Sequence, residues 1–98
     1  MKKCWVVIGS TGEYSDRTEW VSKVFSDEAA AKAYCVELNE WALACGAHKS
    51  CDIRFSDYDR FEVTAEDLKA RDPGFGRDGY YRIDYTGVDW TLVEAEYE

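Results

Sequence analysis

The chain has 98 residues, of which 46% are hydrophobic and 15% aromatic, and its formal net charge is −8 at pH 7. A chain of this length forms one domain with a single modest core. Its acidity disfavours direct contact with nucleic acid and with anionic membranes, and no apolar run approaches the ~18 residues of a membrane-spanning helix.

The first 25 residues predict a β-hairpin. Residues 4–8 are β-branched and aromatic, which is typical of a strand that is buried on both faces. We expect the glycine-rich segment at residues 9–12 to end this strand. Residues 17–25 predict a second strand with imperfect apolar alternation, and the two strands are expected to pair across a long polar loop at residues 9–16.

Residues 26–46 predict a long amphipathic helix. Ser26 is the expected N-cap, and two acidic residues follow it in the first turn, where they complement the helix dipole. Gly46 is expected to end the helix. The apolar positions fall on one helical face, which we expect to pack on the core: Ala31, Tyr34, Cys35, Leu38, Trp41, Ala42 and Cys45.

The next segments predict a short strand and a short helix. Residues 50–55 alternate between apolar and charged side chains, as a short strand would. Residues 64–67 resemble a capping box, with Asp67 where Glu or Gln is usual. This signal opens a helix that is expected to end before Asp72-Pro73-Gly74.

The last segment predicts a closing hairpin. Residues 81–85 alternate, and Trp90 and Leu92 follow a turn at Thr86-Gly87. The apolar parity changes between Leu92 and Val93, which indicates a bulge or the end of an edge strand. The whole order predicts one α+β domain over residues 1–98: a mostly antiparallel sheet of about four strands, one long helix packed on one face, and a second short helix.

The N-terminus favours a cytoplasmic protein. The apolar run after Met1-Lys2-Lys3 stops at Ile8, which is too short for the core of a signal peptide. In the cytoplasm, cysteines are expected to be reduced thiols. The chain has four of them: Cys4, Cys35, Cys45 and Cys51.

Two motifs invite a ligand-binding interpretation. Gly9-Ser10-Thr11-Gly12 follows a strand as a phosphate loop does, but no Lys-Ser/Thr pair follows it, and the nearby Glu13 and Asp16 would repel phosphate. Asp57-Tyr58-Asp59 with Glu62 lacks the glycine and the distant glutamate of a calcium-binding EF-hand. We interpret the first as a hairpin loop and the second as a solvated charged loop.

A third motif has ligand types that suit zinc. Cys45, His48 and Cys51 follow the pattern Cys-x2-His-x2-Cys. Cys35 and Cys45 already belong to the apolar helix face, and the chain has no Cys-x2–4-Cys pair, so buried thiols are the favoured interpretation. We predict no metal and no cofactor, and keep a zinc or small-ligand module at this turn as a weaker hypothesis. The single histidine is not positioned as a catalytic base, so no enzyme is predicted.

The acidic residues are concentrated in the second half of the chain. Residues 51–98 hold 13 Asp and Glu against 6 Lys and Arg, whereas residues 1–50 hold 7 against 6. The acids alternate there with aromatic residues and arginines, which are enriched in protein interfaces. Such a surface attracts basic protein surfaces, although excess carboxylate also serves solubility alone.

Several segments resemble small uncharacterised proteins that are common in phages and prophages. The matching residues are Trp5-Val6-Val7, residues 9–16, Trp20 and residues 25–31, with further similarity at residues 72–75 and 84–87. The resemblance implies a viral or mobile-element origin. Many short acidic phage proteins, anti-CRISPR proteins among them, block host defence by stoichiometric binding, and by analogy the resemblance implies such a role.

We therefore predict a non-enzymatic phage-type inhibitor that binds a host protein with a basic surface in the host cytoplasm. A nucleic-acid-handling defence complex is the favoured target, because acidic side chains can occupy a site built for phosphates and so mimic DNA. The predicted contacts are apolar anchors and charged residues: Asp57, Tyr58, Asp59, Phe61, Glu62, Tyr80, Asp84 and Trp90. The alternative is a structural or accessory phage domain that self-associates, as a homodimer for example, through an edge strand near Tyr97.

Overall fold

The computed structural model describes residues 2–12, 17–51, 64–77, 83 and 86–97. Its elements follow one another as β1 (Lys2–Thr11), β2 (Thr18–Phe25), α1 (Glu28–Ala44), α2 (Ala65–Arg71) and β3 (Val88–Tyr97). The strands form one antiparallel sheet in the order β2-β1-β3. The α+β class is confirmed, with three strands in the described part of the chain rather than about four.

The central strand β1 runs through the glycine-rich segment that we expected to end it. Gly9 pairs with Trp20 on one side and with Trp90 on the other. A Cβ atom at residue 9 would lie 2.4 Å from the Trp20 ring. The glycine therefore allows a large ring to pack directly on the strand, and the prediction that the strand ends there was wrong.

The hairpin of β1 and β2 is confirmed, and its irregularity lies in β2. Val7 pairs with Lys23 and Ile8 pairs with Val21, so Ser22 is an extra residue at this point. Ser22 is buried, and its hydroxyl oxygen lies 2.7 Å from the hydroxyl of Tyr34 on α1. This bulge places a polar residue under the helix and explains the imperfect alternation of the strand.

The last strand β3 pairs with β1 in one continuous register, from Val88 opposite Thr11 to Tyr97 opposite Lys2. The change of parity after Leu92 therefore marks neither a bulge in β3 nor its end. Leu92 packs against the core, whereas Val93 is 43% exposed on the opposite face.

Two predicted strands fall largely outside the described residues. Of residues 81–85, only Ile83 is described, and it is buried without belonging to a strand. Of residues 50–55, only Ser50 and Cys51 are described. Just before them, His48 forms a parallel bridge with Val88.

Both ends of α1 are capped. Asp27 rather than Ser26 is the N-cap, and its carboxylate accepts hydrogen bonds of 3.3 Å from two backbone N–H groups of the first turn. Gly46 ends the helix as predicted, with φ 70° and a hydrogen bond from its N–H to the carbonyl of Leu43. Local chemistry therefore fixes the length of the helix.

The predicted apolar face of α1 is confirmed. Ala31, Cys35, Leu38 and Ala42 are buried. The helix packs on all three strands, so the core lies between α1 and one face of the sheet. The same cluster includes Leu68 of α2.

The capping box of α2 is also confirmed. The Thr64 hydroxyl accepts the N–H of Asp67 at 3.1 Å, and the Asp67 carboxylate accepts the N–H of Thr64 at 3.0 Å. These reciprocal bonds satisfy two donors that the first turn would otherwise leave unpaired. The helix ends at Arg71, before Asp72, as predicted.

Candidate interaction surface

A buried carboxylate joins the two outer strands of the sheet. Asp72 is 0% exposed, and its Oδ2 accepts the indole N–H of Trp20 at 2.8 Å and that of Trp90 at 2.9 Å. Its Oδ1 accepts the backbone N–H of Gly74 at 3.0 Å. Three donors thus compensate for burial of the charge, and they fix both indoles and the residues that follow α2.

This arrangement corrects one predicted contact. Trp90 is 3% exposed and its indole N–H is held by Asp72, so it belongs to the core and offers no face to a partner. The other predicted contacts lie outside the described residues: Asp57, Tyr58, Asp59, Phe61, Glu62, Tyr80 and Asp84.

A polar cluster connects residues 47–51 to the sheet. Lys49 Nζ donates to Ser10 Oγ at 2.9 Å, and Ser10 Oγ donates to Asp89 Oδ1 at 2.6 Å. Lys49 Nζ also lies 3.6 Å from Asp89 Oδ1. A Ser–Lys pair can act as nucleophile and base, but an ammonium that donates to the serine and pairs with a carboxylate has no lone pair to take the serine proton. We therefore interpret the cluster as structural.

The outer edge of β3 is covered at its start. The side-chain amide of Asn39 accepts the N–H of Trp90 at 2.9 Å and donates to its carbonyl at 3.0 Å, as a neighbouring strand would. The N–H of Val88 donates to the carbonyl of Ala47 at 2.9 Å, and the N–H of Lys49 donates to the carbonyl of Val88 at 3.0 Å. An added strand would have to displace these partners.

The His48 ring is engaged at both nitrogens. Its Nε2 lies 3.0 Å from Asn39 Oδ1, and its Nδ1 accepts the N–H of Ser50 at 3.0 Å. Burial lowers the pKa of His48 below its ordinary value, while the nearby Asp89 acts in the opposite direction. The imidazole is therefore not available to a zinc ion at residues 45–51, the weaker hypothesis, unless these bonds break.

The metal hypothesis gains no support from the described part of the chain. There, no group of three or more His, Cys, Asp and Glu side chains is placed to hold a metal ion. The four cysteines, all of which are described, are thiols rather than disulfides.

The phosphate-loop interpretation also fails, because Ser10 and Thr11 pair with β2 on one side and with β3 on the other. Their backbone groups are part of the sheet and do not form an anion-binding turn.

The outer edge of β2 is also partly covered. The turn at residues 73–77 lies against this strand, and a Cβ atom at Gly74 would be 2.3 Å from the carbonyl oxygen of Val21 and 2.9 Å from the Cα of Ser22. The glycine thus permits close backbone packing. Covered backbone at both outer strands disfavours a partner that adds a strand there.

The sheet has a second face, directed away from α1. Side chains alternate along a strand, and the fully buried Val7 faces the helix, so Val6 and Ile8 point the other way. Val6 pairs with Val24 of β2 and with Val93 of β3. The pairing therefore brings apolar side chains of all three strands together on this face.

The part of this face around Val6 is exposed to solvent, whereas Lys49 bonds to the buried Ser10 at one end of it. Val21, Val24 and Val93 are 45%, 54% and 43% exposed. We call the surface the open face, and define it by the apolar residues that the register places together: Cys4, Val6, Ile8, Val21, Val24, Val93 and Ala95. Contiguous exposed apolar patches are uncommon on monomeric proteins and are typical of interaction sites.

A pocket adjoins the open face at Val21, which belongs to both. Its volume is about 370 Å³, and it is lined by Glu19, Trp20, Val21, Gly74 and Arg77. The half-buried Trp20 ring is fixed by its bond to Asp72 and by an edge contact with Phe75 at 4.9 Å between ring centroids. Glu19 and Arg77 give the lining one charge of each sign.

Our sequence reasoning did not identify the open face. Val21, Val24 and Val93 are the residues that disturb the alternation of their strands, and we interpreted the disturbance in β3 as a bulge or as the end of an edge strand. Apolar residues on both parities of a strand also indicate two apolar faces. That signal was present in β2 and β3.

Comparison with known proteins adds no relative: no family model, no curated protein and no solved structure matches this chain. In the described part of the chain, neither helix combines the length and the apolar character needed to cross a membrane.

Proposed function

We propose that this chain is a non-enzymatic binding protein that attaches to a host protein with a basic surface, as a phage-encoded inhibitor of a nucleic-acid-handling defence complex would. The open face carries the proposal, because an exposed apolar surface formed by three strands is typical of a site that a partner covers. The predicted acidic and aromatic contacts at residues 57–62 and 80–84 are part of the same proposal.

The apolar contribution of the open face can be bounded. Complete burial of a valine stabilises by about 1.5–3 kcal/mol relative to full exposure. Val21, Val24 and Val93 are each about half exposed, so covering the three contributes about 2–4 kcal/mol. A micromolar complex needs about 8 kcal/mol in addition to the entropic cost of association, so the valines alone are insufficient.

Charge is proposed to supply part of the remainder. With a net charge of −8, the chain attracts a basic partner over a distance of about 10 Å at ordinary ionic strength. Such steering accelerates association and favours basic partners over acidic ones. Binding is therefore expected to weaken as salt is raised.

The test is capture of host proteins from a lysate with matched baits at low and high salt. The open-face variant carries Val24→Asp and Val93→Asp. The control carries Val36→Asp and Leu43→Asp, at sites on α1 that are 53% and 48% exposed, so both baits gain the same charge at similar exposure. A third bait, with Val24→Thr and Val93→Thr, preserves the preference for strand.

We expect the wild type and the α1 control to retain the same basic host protein at low salt and less of it at high salt. The Asp variant of the open face is expected to lose it at both salts, and the Thr variant to retain a reduced amount. Equal retention by all four baits, or retention that salt does not change, would contradict the proposal.

Self-association is a second candidate that one observation favours. Tyr97 is 47% exposed at the end of β3, which is an outer strand of the described sheet. If self-association is the function, size-exclusion chromatography will show a dimer whose fraction rises with concentration, and Tyr97→Lys will abolish it. A monomer at all concentrations removes this candidate.

A further inference from the structure

We infer that the open face receives one amphipathic α-helix of the partner, which lies on the three strands opposite α1 and places an aromatic side chain in the adjoining pocket, beside Val21. This inference rests on the proposed function and specifies the kind of partner segment.

The dimensions of the sheet favour a single helix. Neighbouring strands lie about 4.8 Å apart, so the outer two of three strands are separated by about 10 Å, which matches the diameter of one helix. The opposite face of the sheet is covered in this way, since the 17-residue helix α1 packs on all three strands. A partner helix would complete a three-layer arrangement with the sheet in the middle.

The covered edges disfavour an added strand. Asn39 bonds to the backbone of Trp90 on the outer side of β3, and the turn at Gly74 lies against the backbone of β2. A strand from the partner would have to displace these groups, whereas a helix on the open face leaves the backbone groups of the strands paired as they are.

A second copy of the chain is also disfavoured. Two copies would bring together net charges of −8 each. Two acidic copies would repel each other, whereas a basic helix would be attracted to the chain.

The pocket supplies an anchor. Its volume of about 370 Å³ lies within the range of pockets that enclose small ligands, and Val21 joins its lining to the open face. Glu19 and Arg77 oppose one another in charge, which favours a neutral ring with a polar edge, such as Tyr or Trp, over a charged side chain. Aromatic residues seated in pockets are frequent hot spots of binding.

The test is selection from a random library of 20-residue peptides by mRNA display, with wild-type protein as bait. Counter-selection against the folded variant with Val24→Asp and Val93→Asp restricts the survivors to the open face. We expect basic sequences with apolar residues at i, i+3 or i+4, and i+7, and with one aromatic residue. Their affinity for wild type should exceed that for the variant at least tenfold, and the α1 control with Val36→Asp and Leu43→Asp should bind like wild type.

The selected peptides also test the anchor, because nuclear Overhauser effects should connect the peptide aromatic ring to the methyl protons of Val21. Survivors that alternate like strands, survivors without such contacts, or no enrichment that depends on the open face would overturn the inference. The selection uses no host protein. If capture of the host protein depends on the open face but the selected peptides have the alternating pattern of a strand, the proposed function stands and the inference of a partner helix is wrong. If helical peptides bind the open face but no host protein is captured, the inference of a helix stands and the proposed function is wrong.

Discussion

The sharpest prediction for stability concerns Asp72. The change Asp72→Ala removes the acceptor of three hydrogen bonds and leaves two indole N–H groups and the N–H of Gly74 without it. Because Asp72 and the Trp90 indole are buried, water reaches the released donors poorly. We therefore expect a loss of stability much greater than that of a surface substitution.

The size of the loss follows from the three bonds. A hydrogen bond to a charged group contributes about 1.5–3 kcal/mol, and an unsatisfied buried donor costs about 1–3 kcal/mol. The wild type also bears the desolvation of the carboxylate, which the variant no longer has. We expect a net loss of about 3–6 kcal/mol, against a total stability of about 5–15 kcal/mol for a domain of this kind.

A second substitution separates the bonds from the shape of the side chain. Asp72→Asn keeps one acceptor oxygen but turns an NH₂ group toward a donor, so either the two indoles or Gly74 loses its partner. We expect a loss of about 2–4 kcal/mol, smaller than that of Asp72→Ala.

The assay is urea unfolding at pH 7, followed by tryptophan fluorescence and by far-ultraviolet circular dichroism. The control is Glu40→Ala, at an exposed site on α1, for which we expect a change within about 0.5 kcal/mol. If Asp72→Ala loses less than about 1 kcal/mol, the carboxylate does not hold the two indoles as described, and the reasoning fails.

Three further predictions concern single sites. Gly9→Ala should destabilise by about 1–3 kcal/mol by forcing the Trp20 ring off β1, and urea unfolding together with a shifted indole N–H resonance of Trp20 will check this. Asp27→Ala should cost about 1 kcal/mol in the same assay and Asp27→Ser much less, because serine restores the cap; equal losses would contradict the capping role. Because burial lowers the pKa of His48 in the folded state, the unfolded state binds more protons, so acidification from the unfolded pKa near 6.5 down through the folded pKa should destabilise the fold. Unfolding at pH 5 and pH 7.5 should show a smaller difference for His48→Gln than for wild type, and an NMR titration of wild type that gives a pKa above 6.5 would refute the sign.

The elements that sequence predicted best are those encoded by neighbouring residues. The apolar spacing of α1, the stop at Gly46 and the reciprocal cap of Thr64 and Asp67 are local patterns, and all three are confirmed. The N-cap was displaced by one residue because Ser26 and Asp27 are both good capping residues, and only the backbone conformation distinguishes them.

The features that sequence missed depend on residues far apart in the chain. The pairing of β1 with β3 joins residues 2–11 to residues 88–97, and no local pattern specifies it. Asp72 was counted only as one of the acidic residues of the second half, because its partners, Trp20 and Trp90, lie 52 and 18 positions away. Trp90 was assigned to the surface for the same reason, since its environment is created by the sheet and by Asp72 together.

The open face is formed by residues of three strands that are far apart in the sequence. Val24 and Val93 lie on different strands and become neighbours only through Val6, with which both pair. A single sequence can show that each valine breaks its own pattern, but not that they meet.

The central claim is that the partner covers the open face, and methyl-resolved NMR of the labelled chain with the captured host protein tests it most directly. The account predicts that the methyl signals of Val24 and Val93 shift or broaden on binding, while those of Val36 and Leu43 on α1, which are exposed to a similar extent, stay unchanged. Signals that change on α1 and stay unchanged at Val24 and Val93 would contradict it.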